Sequence, residues 1–299
     1  MRSDLVFSGG CDAATMRSMR QLESIPAQLL EIPEPPKMLW VEGQLPDIEV
    51  FRYLTVIGSR KFSNYGRDAC EHLLSGLSGY PIAIVSGLAL GMDTIAHETA
   101  LSLDLLTVAI PGSGLDPSVI YPASNRNLAN RIVERGGALL SEFSPSQKSA
   151  VWTFPRRNRI MAGLSHATLI IEAGEKSGTL ITAKLALDYN REVMVVPGNI
   201  FSHASKGSNR LMRDGAMPVA WGGDVLEALG LERSPQSTME PPQLSSSEER
   251  VWRAIENPMG RDELLQMLSM PVNEANTLLM TMELKGLIKE TMGDVRRAI

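Results

Sequence analysis

Beyond about residue 50 the chain alternates two hydrophobic patterns. Short, strand-like runs that are predominantly apolar fall at 54–57, 82–85, 106–110, 138–143, 168–171 and 192–196. Between them, apolar residues recur at helical spacing over 64–77, 92–103, 125–135 and 179–189. Runs that are mostly apolar without alternation suit strands covered on both faces. Their alternation with helices predicts a parallel sheet with helices on either side. The expected fold is therefore α/β: an extended Rossmann-like, doubly wound, mostly parallel sheet over residues 51–231. Residues 1–50 are mixed and broken by Pro33, Pro35 and Pro36, with one short strand around 38–41. They read as an N-terminal extension.

The pattern changes again near residue 232. Residues 232–246 are rich in Ser, Pro, Gln and Glu, which marks a linker. Three helical patterns follow within 247–299, at 247–256, 261–268 and 272–285, with serines 245–247 as N-cap candidates and Pro271 opening the third. Gly286 ends that helix, and residues 287–288 and 295 suit a two-stranded wing around Gly293 and Asp294. Three helices and a wing predict a small winged-helix domain; the alternative is a helical tail packed on the body. The third helix carries Glu274, Glu283 and a single Lys285. That is poor for reading a DNA groove and favours a protein-binding or dimerising module.

Composition narrows the class. The 299 residues are 43% hydrophobic, enough for one large core and one small one. A net charge of −5 excludes a globally basic nucleic-acid binder but leaves room for a local basic groove. Cys11 and Cys70 match no metal spacing and suggest a reducing compartment. No apolar run reaches membrane-spanning length and no signal peptide is evident, so a cytoplasmic protein is expected, with no membrane association.

Ligands of doubly wound sheets bind at the carboxyl ends of the strands. The first strand is followed by Gly58-Ser59-Arg60, which suits close backbone approach and anion contact but lacks the full dinucleotide fingerprint. The second is followed by Ser86-Gly87 and Gly91-Met92-Asp93, with His97 one helical turn beyond Asp93. A third metal ligand is missing there, so a structural pair with a hydrogen-bonded His97 is expected. Gly112 and Ser113 follow the third strand and suit phosphate or backbone approach. Tyr121-Pro122 reads equally as a lid or as packing. The fifth is followed by Lys176-Ser177-Gly178-Thr179 at a helix opening, which favours an anion without being a P-loop. After the sixth come Pro197-Gly198-Asn199 and Lys206-Gly207, with His203 as a loop residue. Five such loops on one sheet edge predict a phosphate-lined groove.

The most informative stretch is Phe154-Pro155-Arg156-Arg157-Asn158-Arg159, followed by Ile160, Met161 and Leu164 at helical spacing. Pro155 fits a first helical turn. Arginine forks at a helix opening favour phosphate, and Phe154 is an aromatic suited to stacking a base. A solvated basic helix start is the other reading.

Together these motifs resemble the DNA-processing protein A family (DprA, also called Smf). The resemblance runs through 56–60, 86–97, 120–122, 141–143, 154–164, 172–173, 176–180 and 196–198, and spans about residues 35–230. It implies a Rossmann-like fold that binds single-stranded DNA, loads the recombinase RecA during natural transformation, and dimerises. It further implies that Gly58, Ser59 and Arg60 hold phosphate. Phe154 would stack near a base, Arg156, Arg157 and Arg159 would line the groove, and Lys176 and Ser177 would form its far wall, with Asn158 and Gly178 in the same two segments. Two features depart from the family. The first 35 residues are short for the helical domain that many members carry. Residues 150–153 lack a basic residue that some members place before the Phe-Pro step, where Trp152 and Lys148 are the candidate substitutes.

Two functions compete. One is a single-strand-binding recombination mediator with no catalysis, cofactor or metal. The other is a Rossmann-like nucleotide phosphoribohydrolase, whose glycine-rich loop ends in a catalytic carboxylate. Thr182 stands at that place here, and a hydroxyl cannot stabilise an oxocarbenium ion.

Overall fold

A computed structural model describes residues 19–232, 244–291 and 293–297. Cys11, the first eighteen residues and most of the expected linker lie outside them. The chain divides into two compact units, Met1–Arg233 and Ser234–Ile299.

In the first unit, nine strands form one sheet among the described residues. In chain order they are β1 (Arg20–Gln21), β2 (Trp40–Gly43), β3 (Arg52–Ile57), β4 (Ile82–Ser86), β5 (Leu106–Ala109), β6 (Ala138–Ser141), β7 (Ala167–Ile170), β8 (Glu192–Val195) and β9 (Met217–Pro218). Their spatial order is β1-β2-β6-β5-β4-β3-β7-β8-β9. From β3 the winding steps outward through β4, β5 and β6, then reverses to the other side through β7, β8 and β9. All these pairings are parallel; β2 joins β6, and β1 joins β2, antiparallel. This is a doubly wound sheet whose switch point lies between β3 and β7.

After a short α1 (Ala27–Leu30), the helices between the strands are α2 (Asn64–Ser75), α3 (Met92–Ser102), α4 (Arg126–Glu134), α5 (Thr153–Leu164), α6 (Thr179–Asp188) and α7 (Lys206–Arg213), and α8 (Gly222–Ala228) follows β9. The central strands are buried along nearly their whole length because helices cover both faces. One core packs Tyr53, Val85, Ile110 and Ile160 on one face, and another packs Leu54, Ile84, Leu74 and Leu169 on the other. Successive residues of β3 and β4 thus feed opposite cores, which is why these runs are apolar at nearly every position; the buried Thr55 hydroxyl is satisfied by the Met161 carbonyl and Ser165.

The stretch expected as a separate extension contributes β1, β2 and α1. Leu29 and Ile32 pack against Gly163 in α5, where a Cβ would stand 2.7 Å from the Ile32 side chain. Described residues of 1–50 therefore belong to the sheet and its core.

The second unit holds α9 (Ser246–Ala254), β10 (Met259–Gly260), α10 (Arg261–Leu268), α11 (Val272–Leu284), β11 (Ile288–Thr291) and β12 (Asp294–Arg297). Ser245 caps α9 through a capping box with Glu248. The wing expected with two strands has three, because Met259 and Gly260 pair with Val295 and Asp294 and close one edge of the β11–β12 hairpin. Val251, Leu264, Leu279, Met282 and Val295 fill its own core. This is a winged helix.

Candidate nucleic-acid interface

The switch point opens into a groove of about 490 Å³. Its walls come from the loop after β3 (Gly58, Arg60), the start of α5 (Phe154, Arg157, Asn158) and the start of α6 (Ser177, Gly178). The two loops are tied across the switch point: the Thr179 hydroxyl donates to the Gly58 carbonyl at 3.1 Å, and Ser177 Oγ accepts the Thr179 N–H at 3.2 Å. On the other side, Met92 N–H donates to the Ser59 carbonyl. Gly91, at φ +89°, allows that approach, since a Cβ there would stand 2.6 Å from Arg60 Cα.

Arg60 is exposed and lies over Phe154, with 5.6 Å from the guanidinium carbon to the ring centroid. Tyr121 meets the same ring edge-on at 6.0 Å. Gly112 is what leaves room for the ring: a Cβ there would stand 2.6 Å from a Phe154 ring carbon. The glycine read from the sequence as an anion-loop residue thus sets the position of an aromatic.

The arginines of α5 separate by helical spacing. Phe154, Arg157, Asn158 and Met161 line the groove at i, i+3, i+4 and i+7. Arg156 and Arg159 lie on another face, and both pair with Glu142; the Arg156 contact is 3.4 Å. Arg159 is buried, also donates to the Glu34 carbonyl at 2.6 Å, and does not line the groove. Its guanidinium joins α5 to the segment before β2. Arg157 is 5% exposed and forms the floor. It donates to the carbonyls of Gly87 at 2.5 Å and Ile110 at 2.7 Å, and to Asn158 Oδ1 at 3.0 Å. These are the strand-end carbonyls of β4 and β5, so Arg157 fastens α5 to the sheet edge.

Asp93 faces Arg157 from the start of α3. Burial raises its carboxyl, with the Arg157 charge and the Ala89 N–H pulling the other way. Burial likewise lowers Arg157, against the Asp93 charge. His97 Nδ1 meets Thr107 Oγ1 at 2.7 Å, and burial takes its imidazole down to about 3. His97 is a neutral core histidine. Among the described residues no cluster of three or more metal-ligating side chains occurs.

The remaining expected residues divide. Ser59 Oγ is used within its own turn, donating to the Lys61 carbonyl at 2.8 Å. Ser113 is fully buried, so it cannot touch a strand in the groove. Lys176 is exposed beside the groove without lining it, whereas Ser177 and Gly178 do. Residues 197–199, expected on the same edge, border a different cavity with Ser63 and Glu172. Trp152 packs edge-on against Phe143 at 5.7 Å, with Arg156 over its ring at 5.9 Å. His203 begins a short 3-10 turn, His203–Ser205. No described helix is long and apolar enough to cross a membrane.

A doubly wound sheet with an arginine–aromatic groove at its switch point, followed by a winged-helix unit, defines the class. The chain belongs to the DNA recombination-mediator protein A family, whose model matches residues 18–230; the DprA winged helix domain matches residues 235–294. It is 35% identical over 280 residues to Protein Smf of Escherichia coli, covering 91% of this chain and 74% of that protein. It is 40% identical over 201 residues to DNA processing protein DprA of Streptococcus pneumoniae, covering 67% and 70%. Among solved structures it is similar to DNA processing protein A of Streptococcus pneumoniae, at 34% identity and a TM-score of 0.65, over 73% of this chain and 76% of that one. It is equally similar to DNA processing protein A of Helicobacter pylori, described for its single-stranded DNA binding mode, at 30% identity and a TM-score of 0.65, over 71% and 96%.

Proposed function

We propose that the switch-point groove binds single-stranded DNA, and that a dimer of this protein protects incoming strands and loads RecA onto them during natural transformation, in the cytoplasm. The observation that carries the reading is the exposed Arg60 guanidinium over Phe154 at the mouth of a groove. A cation beside a stacking platform holds a polynucleotide by counterion release and base stacking, with low sequence preference. The Helicobacter pylori relative, described for binding single-stranded DNA, supports the same ligand here.

In this reading Arg60 and the backbone around Gly58 and Gly178 meet phosphates, Phe154 stacks a base, and Asn158 and Ser177 supply neutral hydrogen bonds. Arg156 and Lys176 add charge at the rim, and Arg157 holds the floor. The groove acts without a cofactor or a catalytic step. Thr182 lies against it where a phosphoribohydrolase needs a carboxylate, and Asp93 is turned to the Ala89 N–H at 3.3 Å. The winged helix is a protein-docking module: on α11 the exposed positions include Glu274, Thr277, Met280, Thr281 and Leu284, with no cation among them.

The test is a mobility-shift titration with oligothymidylate at several salt concentrations, beside an assay for base release from nucleoside monophosphates and an assay of RecA assembly on coated strands. Binding, no base release and faster RecA assembly are expected. Base release without strand binding overturns the reading.

A further inference from the structure

In doubly wound folds the helix after the first strand of the winding points its N-terminus at a bound phosphate beside the switch point. Here that helix is α2, and the strands flanking the switch point are β3 and β7. The position is filled from within. Glu172, two residues past the end of β7, reaches the opening of α2. It takes both donors of the N-cap Ser63: the N–H bonds Oε2 at 2.9 Å and the hydroxyl bonds Oε1 at 2.6 Å. Glu172 is only 2% exposed. The first turn is shaped around it, since a Cβ on Gly66 would stand 2.3 Å from Glu172 Oε2 and 2.6 Å from its carboxyl carbon. Helix-start donors, a glycine that permits close approach and the positive end of a helix dipole are the features a nucleotide pyrophosphate uses. In this chain a carboxylate of its own uses them.

We propose that Glu172 is a built-in anion that occupies the phosphate position of the fold and so excludes nucleoside di- and triphosphates from the switch point, leaving the adjoining groove to a polynucleotide backbone. Glu172 is thereby a specificity-determining residue. A free nucleotide would have to displace a buried carboxylate held by two hydrogen bonds, and would meet its negative charge on the way in. A polynucleotide passing over Arg60 and Phe154 does not enter that position. The last point rests on the single-strand reading above; the occupation of the α2 opening does not.

The full-length chain, as wild type, Glu172→Ala and Glu172→Gln, is titrated calorimetrically with ADP and with oligothymidylate. Each is melted in inorganic phosphate and in chloride of matched ionic strength. Wild type is expected to bind the oligomer and not ADP at millimolar concentration; its Tm difference between the two salts is the reference, because phosphate strengthens burial in general and can meet Arg60. Glu172→Ala is expected to gain saturable ADP binding, about tenfold or more tighter than any residual wild-type binding, to show a larger phosphate-over-chloride Tm shift than wild type, and to keep its oligomer affinity. Glu172→Gln keeps the volume and can turn its carbonyl oxygen to the Ser63 N–H and its NH2 to the Ser63 hydroxyl oxygen, but it removes the negative charge at the opening of α2 and makes both hydrogen bonds neutral; it is expected to melt lower than wild type. The proposal is overturned if wild type binds ADP in competition with the oligomer. It is also overturned if folded Glu172→Ala shows neither ADP binding nor a phosphate shift larger than that of wild type, or if Glu172→Gln melts like wild type. Should Glu172→Ala not fold, the wild-type titration and the Glu172→Gln melt decide. A wild type that binds neither ligand removes the single-strand reading and leaves the role of Glu172 standing.

Discussion

Arg60 and Phe154 form one unit at the switch point: the guanidinium carbon stands 5.6 Å from the ring centroid, although the two residues are nearly a hundred positions apart in the chain. Such a contact is worth about 0.5–1 kcal/mol at an exposed site, so it orders the arginine without burying its charge. The two side chains nevertheless contribute differently to a bound strand, and substitutions separate them. Arg60→Ala is expected to weaken oligothymidylate binding and to lower the slope of log affinity against log salt by about 0.7 for each phosphate that Arg60 neutralises. Phe154→Ala is expected to cost about 1–3 kcal/mol of binding with the slope unchanged.

Gly112→Ala tests how the ring is placed. A methyl group there would stand 2.6 Å from a Phe154 ring carbon. The variant is expected to bind more weakly than wild type, as Phe154→Ala does, with no change in charge. The same titration reads it; wild-type affinity would show that the ring's position is unimportant.

Arg157 is expected to behave as a structural residue. Its guanidinium sits on two strand-end carbonyls with Asp93 facing it. Arg157→Met leaves Asp93 buried without a counter-charge, an arrangement that typically costs about 3–5 kcal/mol. Chemical denaturation should show that loss. A variant as stable as wild type but with a reduced salt slope would instead make Arg157 a phosphate contact.

The main features of the fold were legible in the sequence, because strands buried on both faces are predominantly apolar without alternation and the intervening helices must be amphipathic. The first three expected helices, 64–77, 92–103 and 125–135, match α2, α3 and α4 to within two residues at either end. At the antiparallel edge, β2 was legible as the short strand expected around 38–41, whereas β1 was not, since a two-residue strand carries no periodicity. Nor was α7, whose Lys206, Asn209, Arg210 and Arg213 leave few apolar positions. At the groove, types and spacing named segments that line it, around Gly58, Phe154 and Ser177, but also Ser113 and residues 197–199, which do not, and the direction of each side chain was hidden. A helical projection of 154–161 separates Arg157 from Arg156 and Arg159, and that signal was available. The capture of α2 by Glu172 was not, because it joins residues more than a hundred positions apart and depends on the strand order.

His97 should govern part of the acid response. Burial lowers its pKa from 6.5 to about 3, so the unfolded chain binds a proton in that interval and the folded chain does not. Its contribution to stability is complete above pH 6.5 and is lost as pH falls toward 3, by about 1.4 kcal/mol per pH unit. Denaturant titrations of wild type and His97→Gln between pH 7 and 4 should converge as the pH drops. Parallel curves would place the titrating group elsewhere.

The most direct measurement is the affinity of oligothymidylate across a salt series for wild type, Arg60→Ala and Phe154→Ala, on proteins shown to be folded. The expected result is a shallower salt dependence for Arg60→Ala alone and weaker binding for both variants. Equal affinity and equal slope for all three proteins would contradict the claim that the switch-point groove holds the strand.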